Sequence, residues 1–168
     1  MITIKKSTYN DIDEIMIIIE QAKEYFTQKE FFQWNKEYPN KDTIKNDIDK
    51  NNSFIVLLDN NIVGTFSLIV GEDMCYKNIC GNWISNDLYA TIHRLAIHNH
   101  YKRKGISHKI IKYCENFCID NNIKTLRIDT HSLNKPMINF IEKNNFQYCG
   151  IIQTRGLSNR VAYEKFVN

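Results

Sequence analysis

A short basic loop, Lys102-Arg103-Lys104-Gly105-Ile106-Ser107, stands directly before a stretch with helical periodicity. Glycine lets backbone N–H groups approach a ligand, and the unpaired N–H groups at a helix start, together with the positive end of the helix dipole, attract anions. Because a multiply charged group can bind both the amides and the three neighbouring cations, the loop predicts a pyrophosphate site rather than a carboxylate site. The structural alternative is an ordinary strand-to-helix turn with solvated lysines.

Three further side chains could accept or relay a proton. Asp129 and His131 are two residues apart and lie on the same side if their predicted strand continues, so the carboxylate could orient the imidazole or raise its pKa. Asp129 also lies at a strand end, and strand ends in open α/β sheets face the ligand crevice. His93, on an earlier strand, is the third candidate. A salt bridge for Asp129 and a half-buried core histidine for His93 are the structural alternatives.

Hydrophobic periodicity supplies the elements that must position these residues, in the order βααβββαβαββ. Residues 71–87 have no period and are predicted to form a loop over one end of the sheet. The predicted strands are residues 2–6, 54–58, 62–69, 89–97, 126–130, 146–152 and 160–166, and the predicted helices begin after Thr8, after Pro39, after Gly105 and after Asn134.

Only two strand-helix-strand units, 89–130 and 125–152, have room for a parallel crossover. The sequence therefore predicts an α/β fold with a mixed central sheet, splayed between two parallel strands near its middle, with helices on both faces. The length of 168 residues is normal for one domain, and we expect residues 1–168 to form it.

Composition excludes several classes of protein. The five cysteines form no CxxC pair, and an odd number of cysteines without a signal sequence predicts reduced thiols in the cytoplasm and no metal site. No apolar run reaches the roughly 18 residues of a transmembrane helix, which predicts no membrane contact. The net charge of +3, with acidic and basic residues interspersed, is too weak to indicate a nucleic-acid partner.

The basic loop resembles the nucleotide-binding motif of the GNAT superfamily of N-acetyltransferases, Gln/Arg-x-x-Gly-x-Gly/Ala, here with Lys102 and Ser107 at the first and last positions. The resemblance extends to the element order and to a second stretch of the chain. That stretch, which the family places before and within a late helix, contains Asn134, Met137, Phe140, Ile141, Lys143 and Phe146. Residues 89–97, 129–134, 148–151 and 160–164 also resemble a bacterial subgroup of the superfamily.

The resemblance implies an acetyl-CoA-dependent N-acetyltransferase that acts on a primary amine by direct attack, without metal. It places pantetheine along the backbone of Leu95, Ala96 and Ile97, pyrophosphate on residues 102–107, and the pantetheine arm or thioester end against Asn134. His93 matches one of two strand histidines of arylalkylamine acetyltransferases. Many relatives use a tyrosine to protonate the departing thiolate, whereas this chain has Ile141 in that position.

Specificity for the acceptor amine is expected from the segments least like any motif, 26–40 and 71–89, because loops over a rigid sheet carry recognition. The residues that could line an acceptor pocket are Trp34, Tyr38, Trp83 and Tyr89, and neighbouring acidic side chains would attract a cationic amine to it. Lid packing and surface solvation are the alternatives for each residue.

Two other functions remain open at the level of sequence. Ile141 at the position of the acid is compatible with a non-catalytic CoA-binding sensor or regulatory module. A nucleic-acid binder would have to use residues 102–104 with Lys109, Lys112, Arg155 and Arg160, but aromatic residues do not interleave with this basic cluster. A small-molecule or peptide amine is therefore the predicted partner, and a homodimer is possible.

Overall fold

A computed structural model describes residues 1–154 and 158–167, so that Arg155 and the middle of the connection between the last two strands lie outside the described residues. The element order agrees with the prediction outside residues 71–87. In chain order the elements are β1 (Ile2–Lys6), α1 (Ile12–Gln28), α2 (Lys41–Asp49), β2 (Ser53–Leu58), β3 (Asn61–Val70), α3 (Met74–Lys77), β4 (Cys80–Gly81), β5 (Tyr89–Ile97), α4 (Ile106–Asp120), β6 (Thr125–His131), α5 (Lys135–Lys143), β7 (Gln147–Ile152) and β8 (Arg160–Phe166).

The eight strands form one mixed sheet in the order β1-β2-β3-β5-β6-β8-β7-β4. β5 and β6 are parallel and are paired only from Tyr89–Ile92 to Thr125–Ile128. Both strands continue beyond this ladder, β5 to Ile97 and β6 to His131. The predicted separation between two parallel strands is thus confirmed, and it leaves a crevice between their carboxyl ends.

Side chains of β2 alternate between the two faces of the sheet. Phe54 and Val56 belong to the core beneath α4 and α5, whereas Ile55 packs with α1 and α2 on the opposite face. This alternation follows from the two-residue period of a strand. Both faces of the sheet are therefore covered by helices, as predicted.

A bulge interrupts β5 where it leaves β6. The pairing with β3 shifts between Thr65 and Ser67, and Arg94 adopts a left-handed backbone conformation with φ 54°. A bulge adds one residue, bends the strand and redirects its side chains. The bend lies within the part of β5 that faces the crevice.

The segment 71–87 is not the simple loop that the sequence predicted. It contains α3 and the two-residue strand β4, which pairs with β7 at the edge of the sheet. Elements of four and two residues are too short to show a hydrophobic period, which is why the pattern missed them. Gly81 and Gly150 allow the close pairing, because a Cβ atom at Gly81 would lie 2.1 Å from the carbonyl oxygen of Cys149.

Candidate active site

A cavity of about 390 Å³ lies in the crevice between β5 and β6. His93 and Leu95 of β5 and Asp129 of β6 line it, and Met137 of α5 closes one side. The segment after α1 and the segment 73–76 supply further walls. Small-molecule sites commonly occupy about 300–1,000 Å³ and lie beyond the carboxyl ends of strands, so that both the volume and the position suit a substrate pocket.

An imidazole–carboxylate pair lies in this cavity. His93 Nε2 is 3.1 Å from Asp73 Oδ2, and both side chains are largely buried. The hydrogen bond with His93 is the main reason that the pKa of Asp73 lies below its usual value, although burial opposes the shift. The backbone N–H of Cys75, at the start of α3, donates a hydrogen bond to Asp73 Oδ1 and holds this carboxylate in place.

A second polar group, centred on Asp129, also lines the cavity. The phenol of Tyr76 donates a hydrogen bond of 2.6 Å to Asp129 Oδ2, while Arg160 Nε is 3.8 Å from Oδ1. Tyr76 is 1% exposed, and burial, followed by the charge of Asp129, raises its pKa well above the usual value. Its ring centroid is 6.0 Å from that of His93, so Tyr76 adjoins both polar groups.

His131 does not form the predicted pair with Asp129. Its ring stacks on Phe31 with a centroid distance of 5.2 Å, and its Nδ1 accepts the N–H of Leu133. Burial and the charge of Arg160 lower the pKa of His131, whereas a carboxylate partner would raise it. The prediction that Asp129 raises the pKa of His131 is therefore wrong, and a catalytic role for His131 stays a prediction without support from this geometry.

The aromatic residues proposed for the acceptor pocket divide into two groups. Trp34 lines the cavity and packs against Phe26. Trp83 and Tyr89 instead enclose the guanidinium of Arg127, which lies 4.0 Å and 3.6 Å from their ring centroids. Among the described lining residues, Trp34 and Tyr38 are thus the aromatic candidates from the sequence, and Trp83 and Tyr89 are part of the wall behind the pocket.

A buried ion pair and a neighbouring hydrogen bond join the bulge of β5 to α2 and to the segment after α1. Arg94 donates two hydrogen bonds of 2.7 Å to the carboxylate of Asp47 in α2 and a third, of 2.9 Å, to the phenolic oxygen of Tyr38. Ser67 of β3 donates to the same carboxylate at 2.7 Å. These contacts tie β3, β5, α2 and the segment after α1 into one unit.

The basic loop forms the predicted turn before α4. Gly105 is the N-cap of α4, has φ 75° and leaves the first turn without a side-chain cap. A Cβ atom at Gly105 would meet nothing within 4 Å, so the space around this position is open. Lys102 and Lys104 lie over the rings of Tyr25 and Tyr101, at 5.1 Å and 4.9 Å. These residues fit a phosphate group, while Ile106 contributes only its backbone because its side chain is buried in the core.

Asn134 is engaged entirely within the protein. Its Oδ1 accepts the N–H of Met137 as the cap of α5, and its Nδ2 donates to Gln33 Oε1 at 3.2 Å and to Thr130 Oγ1 at 3.1 Å. Gln33 also accepts from the His131 N–H at 3.1 Å. Asn134 therefore caps α5 and links it to the segment after α1 through Gln33. Its predicted bond to pantetheine stays a prediction.

The chain matches the profile of the Acetyltransferase (GNAT) family over residues 17–146. It belongs to this family. A GNAT-family acetyltransferase from Streptococcus agalactiae has 28% identity and a TM-score of 0.89, over 99% of this chain and 96% of the other. A Listeria monocytogenes member has 14% identity and a TM-score of 0.76, over 98% and 94%. The PaiA N-acetyltransferase of Thermoplasma acidophilum, solved in complex with coenzyme A, has 20% identity and a TM-score of 0.71, over 99% of each chain.

These similarities identify the protein as an acyltransferase with a GNAT fold. A search of curated proteins gave no match. Within residues 1–154 and 158–167, no helix is long and apolar enough to cross a membrane, and no group of three or more His, Cys, Asp or Glu side chains is arranged to hold a metal ion.

Sequence reasoning missed four residues of this GNAT site: Gln33, Asp73, Tyr76 and Arg160 as a cavity residue. Asp73 could have been found, because Asp73-Met74-Cys75 has the pattern of an N-cap before a helical turn. Tyr76 and Gln33 have no comparable local signal. They reach the site only because the segments that carry them fold over the sheet.

Proposed function

We propose that this GNAT enzyme transfers an acetyl group from acetyl-CoA to a primary amine by direct attack. The observation that carries the proposal is the cavity between β5 and β6, with His93 and Asp73 paired at 3.1 Å inside it. Amine acetylation requires a group that takes up the amine proton and a means of polarising the thioester carbonyl, and the cavity provides the first of these directly.

His93 is the base in this proposal. Because its hydrogen bond to His93 lowers the pKa of Asp73, the carboxylate is charged at neutral pH and accepts the hydrogen on Nε2. Nδ1 of the neutral ring then carries the lone pair that can accept a proton from the attacking amine. Asp73 fixes the ring tautomer and stabilises the imidazolium that forms.

Departure of the thiolate has two possible routes. Ile141, at the position of the family's usual acid, is completely buried and has no proton to donate. Tyr76 lines the cavity with a phenol that keeps its proton, since burial raises its pKa. A thiol pKa of about 8.5 also allows the thiolate to leave unassisted. In a Tyr76→Phe variant, a large loss of kcat would indicate the first route and a small loss the second.

The residues that would hold acetyl-CoA extend from the cavity to the basic loop. The amides of residues 105–107 and the cations of residues 102–104 suit the pyrophosphate, and Leu95 to Ile97 have a backbone edge that is not paired with β6. Acetyl-CoA supplies the activated acetyl thioester. For Asn134 to contact it, one of the bonds to Gln33 or Thr130 would have to open.

The test is a screen of acetyl-CoA consumption over classes of amine, followed by mass spectrometry of the products. We expect at least one amine to gain a single acetyl group, and His93→Gln to lose this activity while it still binds CoA in calorimetry. CoA binding by the parent protein without acetylation of any amine would overturn the proposal.

That outcome would favour the second candidate, a non-catalytic CoA-binding sensor or regulatory module. The burial of Ile141, where relatives have their acid, is the observation in its favour. Localisation in the cytoplasm stays a prediction, as does a homodimer. Light scattering of the purified protein would decide the oligomeric state.

A further inference from the structure

Two buried arginines of this protein have close carboxylate partners. Arg94 contacts Asp47 through two bonds of 2.7 Å, and Arg127 contacts Glu164 at 2.9 Å. The two side chains are 10% and 5% exposed. Burying a guanidinium removes it from water, so that a compensating anion at close range is expected.

Arg160 is buried to the same degree, at 4% exposure, but lacks such a partner within the described part of the chain. It donates to the carbonyl oxygen of Gln33 and to Ser158 Oγ, both uncharged. The carboxylate of Asp129 is 3.8 Å from its Nε and is shared with the Tyr76 phenol.

The electrostatic surroundings of the two arginines that line the cavity differ accordingly. Burial opposes the charge of Arg94, but its contacts with Tyr38 and Asp47 outweigh burial and raise the pKa of Arg94. Burial lowers the pKa of Arg160, and the charge of Asp129 offsets only part of this effect. Arg160 is thus a cavity cation whose charge the described residues neutralise incompletely.

The cavity therefore has two poles. One is the guanidinium of Arg160 beside Asp129, and the other is the pair of His93 and Asp73. Both line the cavity, and Tyr76 adjoins both, through its hydrogen bond to Asp129 and its ring 6.0 Å from that of His93. A ligand that carries an anion and an amine would satisfy both poles at once. The carboxylate would complete the coordination of the guanidinium in a charge-assisted, bidentate contact, and the amine would lie beside the base.

We propose that the acceptor is a small free amino acid, whose carboxylate binds Arg160 and whose amine faces His93. This inference rests on the proposed function. In the reaction, the amine nitrogen forms an amide bond to the acetyl carbon and the C–S bond of the thioester breaks. The proton lost by nitrogen passes to His93, and CoA leaves as the thiolate or, after protonation, as the thiol. The volume of about 390 Å³, shared with the acyl end of the donor, suits an amino acid better than a long peptide.

The experiment compares each free amino acid with its own carboxamide, at saturating acetyl-CoA. The pair differs in the charge that Arg160 would bind. The amine of the carboxamide is less basic than that of the free amino acid, so a larger fraction of it is unprotonated and reactive at neutral pH. A preference of the enzyme for the free acid would therefore oppose the intrinsic reactivity of the two amines. We expect a free acid to have at least a tenfold higher kcat/KM than its carboxamide, the scale of a charge-assisted hydrogen bond.

Arg160→Gln tests the residue itself. We expect KM for the free acid to rise about tenfold to a hundredfold while the carboxamide changes little, so that the ratio between them falls towards one. Lys124→Gln is the matched control, since it removes an exposed positive charge just before β6, at the end of the strand away from the cavity, and should leave the ratio unchanged. If Arg160→Gln does not fold, the comparison of acid and carboxamide in the parent protein still decides.

The outcomes separate the two proposals. Acetylation of carboxamides, polyamines or peptide N-termini with equal or higher kcat/KM would overturn the amino-acid acceptor and leave the acetyltransferase in place. An unchanged ratio in a folded Arg160→Gln variant would overturn the role of Arg160. CoA binding without acetylation of any amine would overturn both proposals.

Discussion

The two ends of the active site are built in opposite ways. The basic loop is continuous in sequence, lies within residues 102–107, and takes its binding groups from one turn and one helix start. The cavity is assembled from the segment after α1, the segment 73–76, five strands and α5. The first end presents mainly backbone groups and the second mainly side chains that recognise one another across the fold.

This difference bears on how each end can change. Backbone amides at a helix start can bind phosphate whatever the neighbouring side chains are, so we expect the loop to tolerate Lys102 and Ser107 in place of the family's usual residues. The cavity depends on specific partners, such as Asp73 for His93 and Tyr76 for Asp129. The proposed donor end of this GNAT enzyme therefore relies on generic backbone groups, and the proposed acceptor end relies on side-chain pairs particular to this chain.

The largest effect is expected at the loop. Gly105→Glu should weaken CoA binding by at least about a hundredfold in calorimetry, because it adds a negative side chain at the N-cap of α4 that would repel a pyrophosphate bound to the helix amides. Gly71→Glu is a matched control, since Gly71 also has a positive φ, of 100°, and open space around its Cβ position. Unchanged CoA affinity in Gly105→Glu would show that the phosphate site lies elsewhere.

At the acceptor end, His93→Gln should lower kcat by roughly a hundredfold, the usual scale for the loss of a general base, with little change in CoA affinity. The rising limb of the pH–rate profile should also disappear. His131→Gln is the informative comparison, because His131 is stacked on Phe31 and should keep most of the activity. A loss of activity in His131→Gln alone would instead indicate that His131, a candidate from the sequence, is the base.

Asn134→Ala should lower the free energy of unfolding by about 1 kcal/mol, because the variant loses the N-cap of α5. Because both N–H bonds of its amide already go to Gln33 and Thr130, we expect CoA affinity to change less than stability. Thermal melts and calorimetry on the same variant measure the two quantities. A loss of CoA affinity well beyond tenfold would instead support the pantetheine contact that the family resemblance implies.

The smallest effect concerns acid stability. The pKa of Asp73 is lower in the folded protein than in the unfolded chain, where it is about 3.9. The pair of Asp73 with His93 therefore stabilises the fold at pH values above about 3.9. This stabilisation disappears as the pH falls through the pKa of the folded state. We expect the melting temperature of the parent protein to fall more between about pH 5 and pH 3 than that of Asp73→Asn. Parallel slopes for the two proteins would show that the pair contributes nothing to folding.

Much of the fold was predictable because its signals are local. The continuous apolar run from Phe54 to Leu58 identified a strand, and Asn134 with Pro136 identified a helix start. The segment 71–87 was not predictable in the same way. Its two elements have four and two residues, and they are held by partners far along the chain, such as Glu164, which accepts the Ile84 N–H at 2.8 Å.

The sequence by itself determined the element order, the separation of two parallel strands and the glycine turn before α4, because each depends on a periodicity or on a backbone conformation encoded within a few residues. Only the tertiary structure decided the acceptor end. It paired His93 with Asp73 rather than His131 with Asp129, and it brought Arg160 into the cavity. The physical reason is that a hydrogen bond or an ion pair depends on distance in space, and residues 20 to more than 100 positions apart, such as His93 with Asp73 and Arg160 with Gln33, meet only when the chain has folded.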